Sequence, residues 1–171
     1  PLLKGSQTNL YKCFLPLSWR IASKSGLQGF LHPEGVYNDP KGGDLRAQIY
    51  KRLINHFQFQ NELCLFPEVH HQVIFSINHY GKTKNPNFNH IANLFHVKTI
   101  DSSIDHDGHG LVGGIKDKNN QYDLSGHRER LIQVNEETLA IFCELYDKPG
   151  TPSIEARLPS LHSQKLQSVL S

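Results

Sequence analysis

The chain has 171 residues, 37% of them hydrophobic, and a net charge of +2 with its histidines neutral. That length suits one domain with a real core, or a domain with an appendage. The cations and anions are interspersed, so no strong phosphate-binding field is visible and nucleic-acid binding is neither implied nor excluded, while no apolar run is long enough to span a membrane.

Residues 8–24 read as a helix capped by Thr8 or Asn9, with Leu10, Phe14, Leu17 and Ile21 at helical spacing on one face. Pro16 falls inside this helix and should kink it or shorten its first half, and Gly26 should end it. Residues 27–33 read as a short strand stopped by Pro33. Residues 34–43 read as a loop from their glycine, asparagine and proline content. In an open α/β sheet such a strand-to-helix connection lies on the edge where ligands bind. A helix over residues 44–55 should turn Leu45, Ile49, Leu53 and Ile54 inward, with Arg46, Lys51 and Arg52 on a solvated face. Phe57 and Phe59 alternate with Gln58 and Gln60 in a half-buried strand over 56–63, and residues 72–78 form a strand buried on both faces. This order predicts one half of a doubly wound sheet whose last strands are added as a hairpin-like edge.

Beyond Gly81 the composition changes. Residues 82–87 read as an exposed linker, and the glycine- and aspartate-rich stretch 101–126 as surface. Helices are expected over 135–147, with a stripe of Leu139, Phe142, Leu145 and Tyr146, and over 160–170, with Leu161, Leu166 and Val169. Cys13, Cys64 and Cys143 are an odd, widely spaced set in apolar surroundings, which predicts buried thiols in a reducing, cytoplasmic setting. The absence of methionine and the start at Pro1 predict a piece of a longer protein.

The turn at Leu65-Phe66-Pro67 leads into the run Val73-Ile74-Phe75. An aromatic beside a proline can be held at a sheet edge with its ring face open to a flat ligand such as a base, or it can cap the core. Asp105-His106-Asp107-Gly108-His109 concentrates metal-ligand side chains, with His127 downstream, yet matches no known ligand spacing, so the expectation is a polar loop without metal. No phosphate-binding loop, dinucleotide fingerprint or Gly-x-Ser-x-Gly motif is present.

Four segments in order, Asn9-Leu10-Tyr11-Lys12-Cys13-Phe14, Gly29-Phe30-Leu31-His32-Pro33, Leu45-Arg46 with Ile49, and Leu65-Phe66-Pro67 leading into Val73-Ile74-Phe75, resemble the second half of adenine-specific DNA methyltransferases over residues 6–80. The resemblance is to the methylases of restriction-modification and phage-defence systems. It implies an α/β fold: the second half of a Rossmann-like sheet that binds S-adenosylmethionine, over residues 1–84, followed by a mixed, loop-rich extension over 85–171. It also implies methyl transfer to the exocyclic nitrogen of an adenine flipped out of double-stranded DNA, with Leu10 and Phe14 bordering the cofactor's adenine ring and Phe66 contacting the flipped base.

The family's glycine-rich cofactor loop and its Asn/Asp-Pro-Pro-aromatic catalytic motif are absent from this sequence. The resemblance therefore implies that both lie upstream of Pro1, that the chain works with the rest of a methyltransferase chain or a partner subunit, and that alone it is inactive. Two other readings stand beside it. One is a non-catalytic module presenting Lys82, Lys84 and the 101–126 loop to DNA or to a subunit; the other is a metal-dependent nuclease using the Asp105 to His109 cluster.

Overall fold

The computed structural model describes residues 2–7 and 9–166. Its elements in chain order are α1 (Leu10–Ile21), β1 (Gln28–Pro33), α2 (Gly35–Asn38), α3 (Gly43–Tyr50), β2 (Leu53–Gln60), β3 (Ile74–Tyr80), β4 (Asn87–Leu94), α4 (Lys98–Ile104), β5 (Ile132–Asn135) and α5 (Glu136–Tyr146). The strands form one five-stranded mixed sheet in the order β1-β3-β2-β4-β5. Because β3 is antiparallel to both β1 and β2, those two strands run the same way with β3 between them. β4 lies parallel to β2 on its other side, and β5 closes that end antiparallel to β4. The outer edge of β1 has no strand partner among the described residues.

The sheet is mixed α/β as expected, but its hairpin differs from the expected edge placement: β3 inserts between β1 and β2 and leaves β2 at the centre. The sheet also continues across the compositional change at residues 84–85, since β4 begins at Asn87, within the stretch read as linker. One face is covered by α1, α3 and α5 through Leu15, Leu45, Ile49, Tyr50, Leu139 and Phe142. The other face buries Phe57, Phe59, Phe75, Ile91 and Leu94, with Leu65 and Ile100 of α4 packed against them.

Several local expectations are corrected by this packing. α1 runs unbroken through Pro16, and its apolar stripe faces outward, with Leu10 70%, Phe14 49% and Ile21 78% exposed, while Lys12 and Leu15 are buried. Asn9 occupies the cap position without a side-chain bond; Thr8 and Val169 lie outside the described residues. The helix expected over 44–55 ends at Tyr50, so Leu53 and Ile54 belong to β2. Within it Arg46, assigned to a solvated face, is buried: Nε and Nη2 donate to the Glu155 carbonyl at 3.0 and 2.9 Å, and Nη1 to the carbonyls of Val36 and Asp39. An arginine carries five donors, and here they cross-link α2, α3 and the 153–155 turn by answering carbonyls that would otherwise be buried unpaired.

In α5, capped by the Asn135 side chain accepting from the Thr138 N–H at 2.9 Å, Leu139 and Phe142 are buried but Leu145 and Tyr146 are exposed. In the C-terminal segment Leu161 is buried and Leu166 exposed. Cys13 and Cys64 are exposed and only Cys143 is buried.

Candidate functional site

β1 delivers His32, Pro33 and Glu34 in succession to the carboxyl edge of the sheet, where α2 starts. Glu34 is buried, and its carboxylate turns back under the sheet, accepting from His56 Nε2 at 3.1 Å and Gln58 Nε2 at 2.8 Å. His56 Nδ1 lies 2.8 Å from His90 Nδ1 across the β2–β4 pair, with the two rings stacked at 4.9 Å. On the next strand Asn78 donates to Ser76 Oγ at 2.8 Å and accepts from the Tyr37 hydroxyl at 2.6 Å. His32 donates from Nδ1 to the Pro33 carbonyl, so its Nε2 accepts from the Tyr80 hydroxyl at 3.1 Å. A row of polar side chains thus crosses four strands under the helices: His32, Ser76 with Asn78, His56 with Gln58, then His90.

The electrostatics follow from burial. Burial alone would push the Glu34 carboxyl up, but the His56 charge and the hydrogen bonds from His56, Gln58 and Ser76 outweigh it and hold Glu34 down at about 2. Burial, reinforced by the neighbouring His56 charge, drives His90 down to about 3 and keeps it neutral. Burial lowers His32 as well. The ionised Glu34 carboxylate is thus held by His56 Nε2 and Gln58 Nε2, and His56 Nδ1 shares one hydrogen bond with His90 Nδ1. Among the described residues His90 Nε2 and Gln58 Oε1 then have no hydrogen-bond partner.

Phe66 occupies the same edge on the opposite face. A 3₁₀ turn over 61–63 follows β2, and Cys64 takes a left-handed conformation with φ 52°. The buried Asn61 side chain then grips the loop, with Oδ1 accepting from the Phe66 N–H at 3.0 Å and Nδ2 donating to the carbonyls of Phe66 at 2.9 Å and Val69 at 2.7 Å. The Phe66 ring stands edge-on to Phe75, 5.2 Å between centroids, and the residue is 38% exposed. It helps wall an apolar recess of about 260 Å³ with Leu31, Pro33, Val69, Val73 and Phe75. Phe66 is therefore neither a core plug nor a free surface ring.

Leu10 and Phe14 do not reach that recess. They lie on the outward stripe of α1, which packs on the helix-covered face, and the α1 residue that touches the carboxyl edge is Tyr11, stacked on His32 at 5.4 Å. The Asp105 to His109 loop is tied by its own bonds, Gly108 N–H to His106 Nδ1 and His109 N–H to Asp107 Oδ1, both at 2.9 Å, and the His106 ring packs at a tilt against the buried His127, 4.2 Å between centroids. Among the described residues no group of three or more histidine, cysteine, aspartate or glutamate side chains is arranged to hold a metal ion.

Sequence reading singled out Phe66 but missed Asn61, Glu34, His56 and His90. The available signal was chemical: an asparagine immediately after a Phe-Gln-Phe-Gln strand, and histidines at inward positions of strands otherwise rich in Phe and Ile. No family model matches the chain, and no curated protein matches it.

Proposed function

We propose that the chain is part of a DNA adenine methyltransferase and carries the base-contacting edge of its catalytic domain, with S-adenosylmethionine as the methyl donor and double-stranded DNA as the substrate. The observation that carries this reading is Phe66, clamped by Asn61 at the carboxyl edge of parallel β1 and β2 with its ring walling an apolar recess. Ligands of open α/β sheets bind at that edge, and a flipped base needs an aromatic or apolar partner to offset the stacking it loses.

Two further features support a sheet that is completed by other strands. Among the described residues the outer edge of β1 is unpaired, and the outward Leu10, Phe14, Leu17 and Ile21 of α1 are exposed, as are Leu27 and Leu31. On this reading the glycine-rich cofactor loop and the Asn/Asp-Pro-Pro-aromatic motif, both absent here, arrive with the strands that pair with β1. Leu10 and Phe14 then meet the cofactor only after that pairing, which accounts for their exposure in this chain.

The test has two parts. The coding sequence preceding Pro1, or a subunit that co-purifies with the chain, is expected to contain both motifs, and the reunited polypeptide is expected to transfer a labelled methyl group from S-adenosylmethionine to DNA. Motifs missing from both sources, or label found outside adenine, would sink the proposal.

A further inference from the structure

At the opposite edge of the sheet, where β1 and β2 begin and β3 ends, a second recess of about 380 Å³ is walled by Trp19, Lys24, Gln28, Arg52, Lys82 and Thr83, among others. Among the described residues no carboxylate lines it. The Arg52 guanidinium lies over the Trp19 ring, 4.7 Å from its centroid, which fixes the cation in the wall. Its Nη1 donates to the Gln48 carbonyl and side chain at 2.9 and 3.0 Å, answering a C-terminal carbonyl of α3. Those bonds account for Nη1 alone. Nε and Nη2, the side-on fork that matches a phosphate or carboxylate, make no hydrogen bond among the described residues.

The lysines add to the same imbalance. Lys24 and Lys82 are exposed and, like Arg52, take part in none of the ion pairs among the described residues. In a chain whose overall charge is only +2, three uncompensated cations around one concavity are a local concentration. Burial also lowers the Arg52 pKa, the mark of a guanidinium that has lost water without gaining a counter-ion.

We propose that the Trp19–Arg52 recess is a phosphate-binding site, with Arg52 gripping the phosphate oxygens, Lys24 and Lys82 flanking it, and the indole forming the wall beside the attached sugar. The site shares no residue with the Phe66 edge and does not depend on methyl transfer. Its phosphate can belong to a nucleic-acid strand or to a free phosphate compound, and the two are separable by experiment.

Trp19 is the chain's one tryptophan, so its emission reports occupancy of this recess. Titration with inorganic pyrophosphate and, separately, with a short oligodeoxynucleotide is expected to give a saturable change in Trp19 emission that rising salt reverses. Phosphorus NMR line broadening of pyrophosphate supplies a reading independent of the indole. The double substitution Lys24→Gln with Lys82→Gln removes only exposed, unpaired side chains and is expected to weaken binding by about tenfold at low salt. For the oligonucleotide, the salt slope should fall by about 1 for each phosphate that a lysine no longer neutralises. Lys41→Gln, at the other edge of the sheet, should change nothing. Binding of the oligonucleotide assigns the site to a phosphodiester backbone, and binding of pyrophosphate alone assigns it to free phosphate groups; either upholds the proposal. No saturable response to either probe, or equal affinity in the lysine double variant, overturns it.

Discussion

The two faces of the central sheet are built on opposite principles. Beneath α4 the sheet buries only carbon-rich side chains, Phe57, Phe59, Phe75, Ile91 and Leu94, whose stabilisation depends on area and volume. Beneath α1, α3 and α5 the strands bury, beside the apolar Leu53, Phe88, Ile132 and Val134, the polar His56, Gln58, Ser76, Asn78 and His90, joined by Glu34 from just beyond β1, and there each donor needs an acceptor and each charge a counter-charge. The contrast teaches that one β-strand can carry a shape-tolerant face and a chemistry-intolerant face at alternate residues. Phe57 and Phe59 share β2 with His56 and Gln58.

The sharpest way to break the polar face is His56→Leu. It leaves the Glu34 carboxylate buried without its His56 partner and should cost about 3–5 kcal/mol in denaturant unfolding. Adding Glu34→Gln to that variant removes the stranded charge and should recover part of the loss; a double variant no more stable than the single one would show that the pair is not coupled.

Acid should act strongly on the polar face. An unfolded His90 takes up a proton below its ordinary value of 6.5, whereas the folded one refuses it down to about 3, so stability should fall as pH drops through that window. Glu34 adds a second loss as pH falls from 4.5 towards about 2, because its carboxylate is protonated more readily in the unfolded chain. Melting temperatures measured against pH should decline less steeply below 6.5 in His90→Gln than in the parent chain.

Asn61→Ala comes next in size. It strands the Phe66 N–H and the carbonyls of Phe66 and Val69, and should cost about 1–3 kcal/mol. On the apolar face, Ile91→Leu conserves volume and should cost less than about 1.5 kcal/mol, with no change in the pH profile. At Phe66 the effect on folding is expected to stay well below that of a core phenylalanine. Its ring is partly exposed, and beyond the apolar area it buries, it loses on replacement by alanine an edge-on contact with Phe75 of about 0.5–1.5 kcal/mol. In the methyltransferase proposed above, the same variant should abolish much of the fluorescence gain of 2-aminopurine at the target position, since base stacking contributes about 1–3 kcal/mol. Normal flipping with a large drop in melting temperature would return Phe66 to a purely structural role.

What could be read in advance tracks where local chemistry decides. β1 is bounded by Gly26 and Pro33, α5 is announced by its Asn135 cap, and the Val73-Ile74-Phe75 run marks β3. β4 was hidden because Asn87, Asn89, His90 and Asn93 give it the composition of a loop, and its burial comes from β2 and β5, which are distant in sequence. Arg46 and the Glu34–His56–His90 chain were hidden for a related reason. A polar residue's inward position becomes visible only when its partner, up to 109 residues away for Arg46 and Glu155, is placed beside it. The α1 stripe shows the converse, since helical spacing identifies an apolar face without saying what covers it.

The grip of Asn61 on the Phe66 loop bears on binding entropy. With the backbone N–H and carbonyl of Phe66 held by one buried side chain, the ring's carrier is immobilised before any ligand arrives. The cost of ordering that residue, about 1–2 kcal/mol for the backbone alone, falls on folding and not on association. A flat ligand meeting this edge is therefore spared that ordering cost, and amide exchange at Phe66 should be slow and nearly the same with and without it.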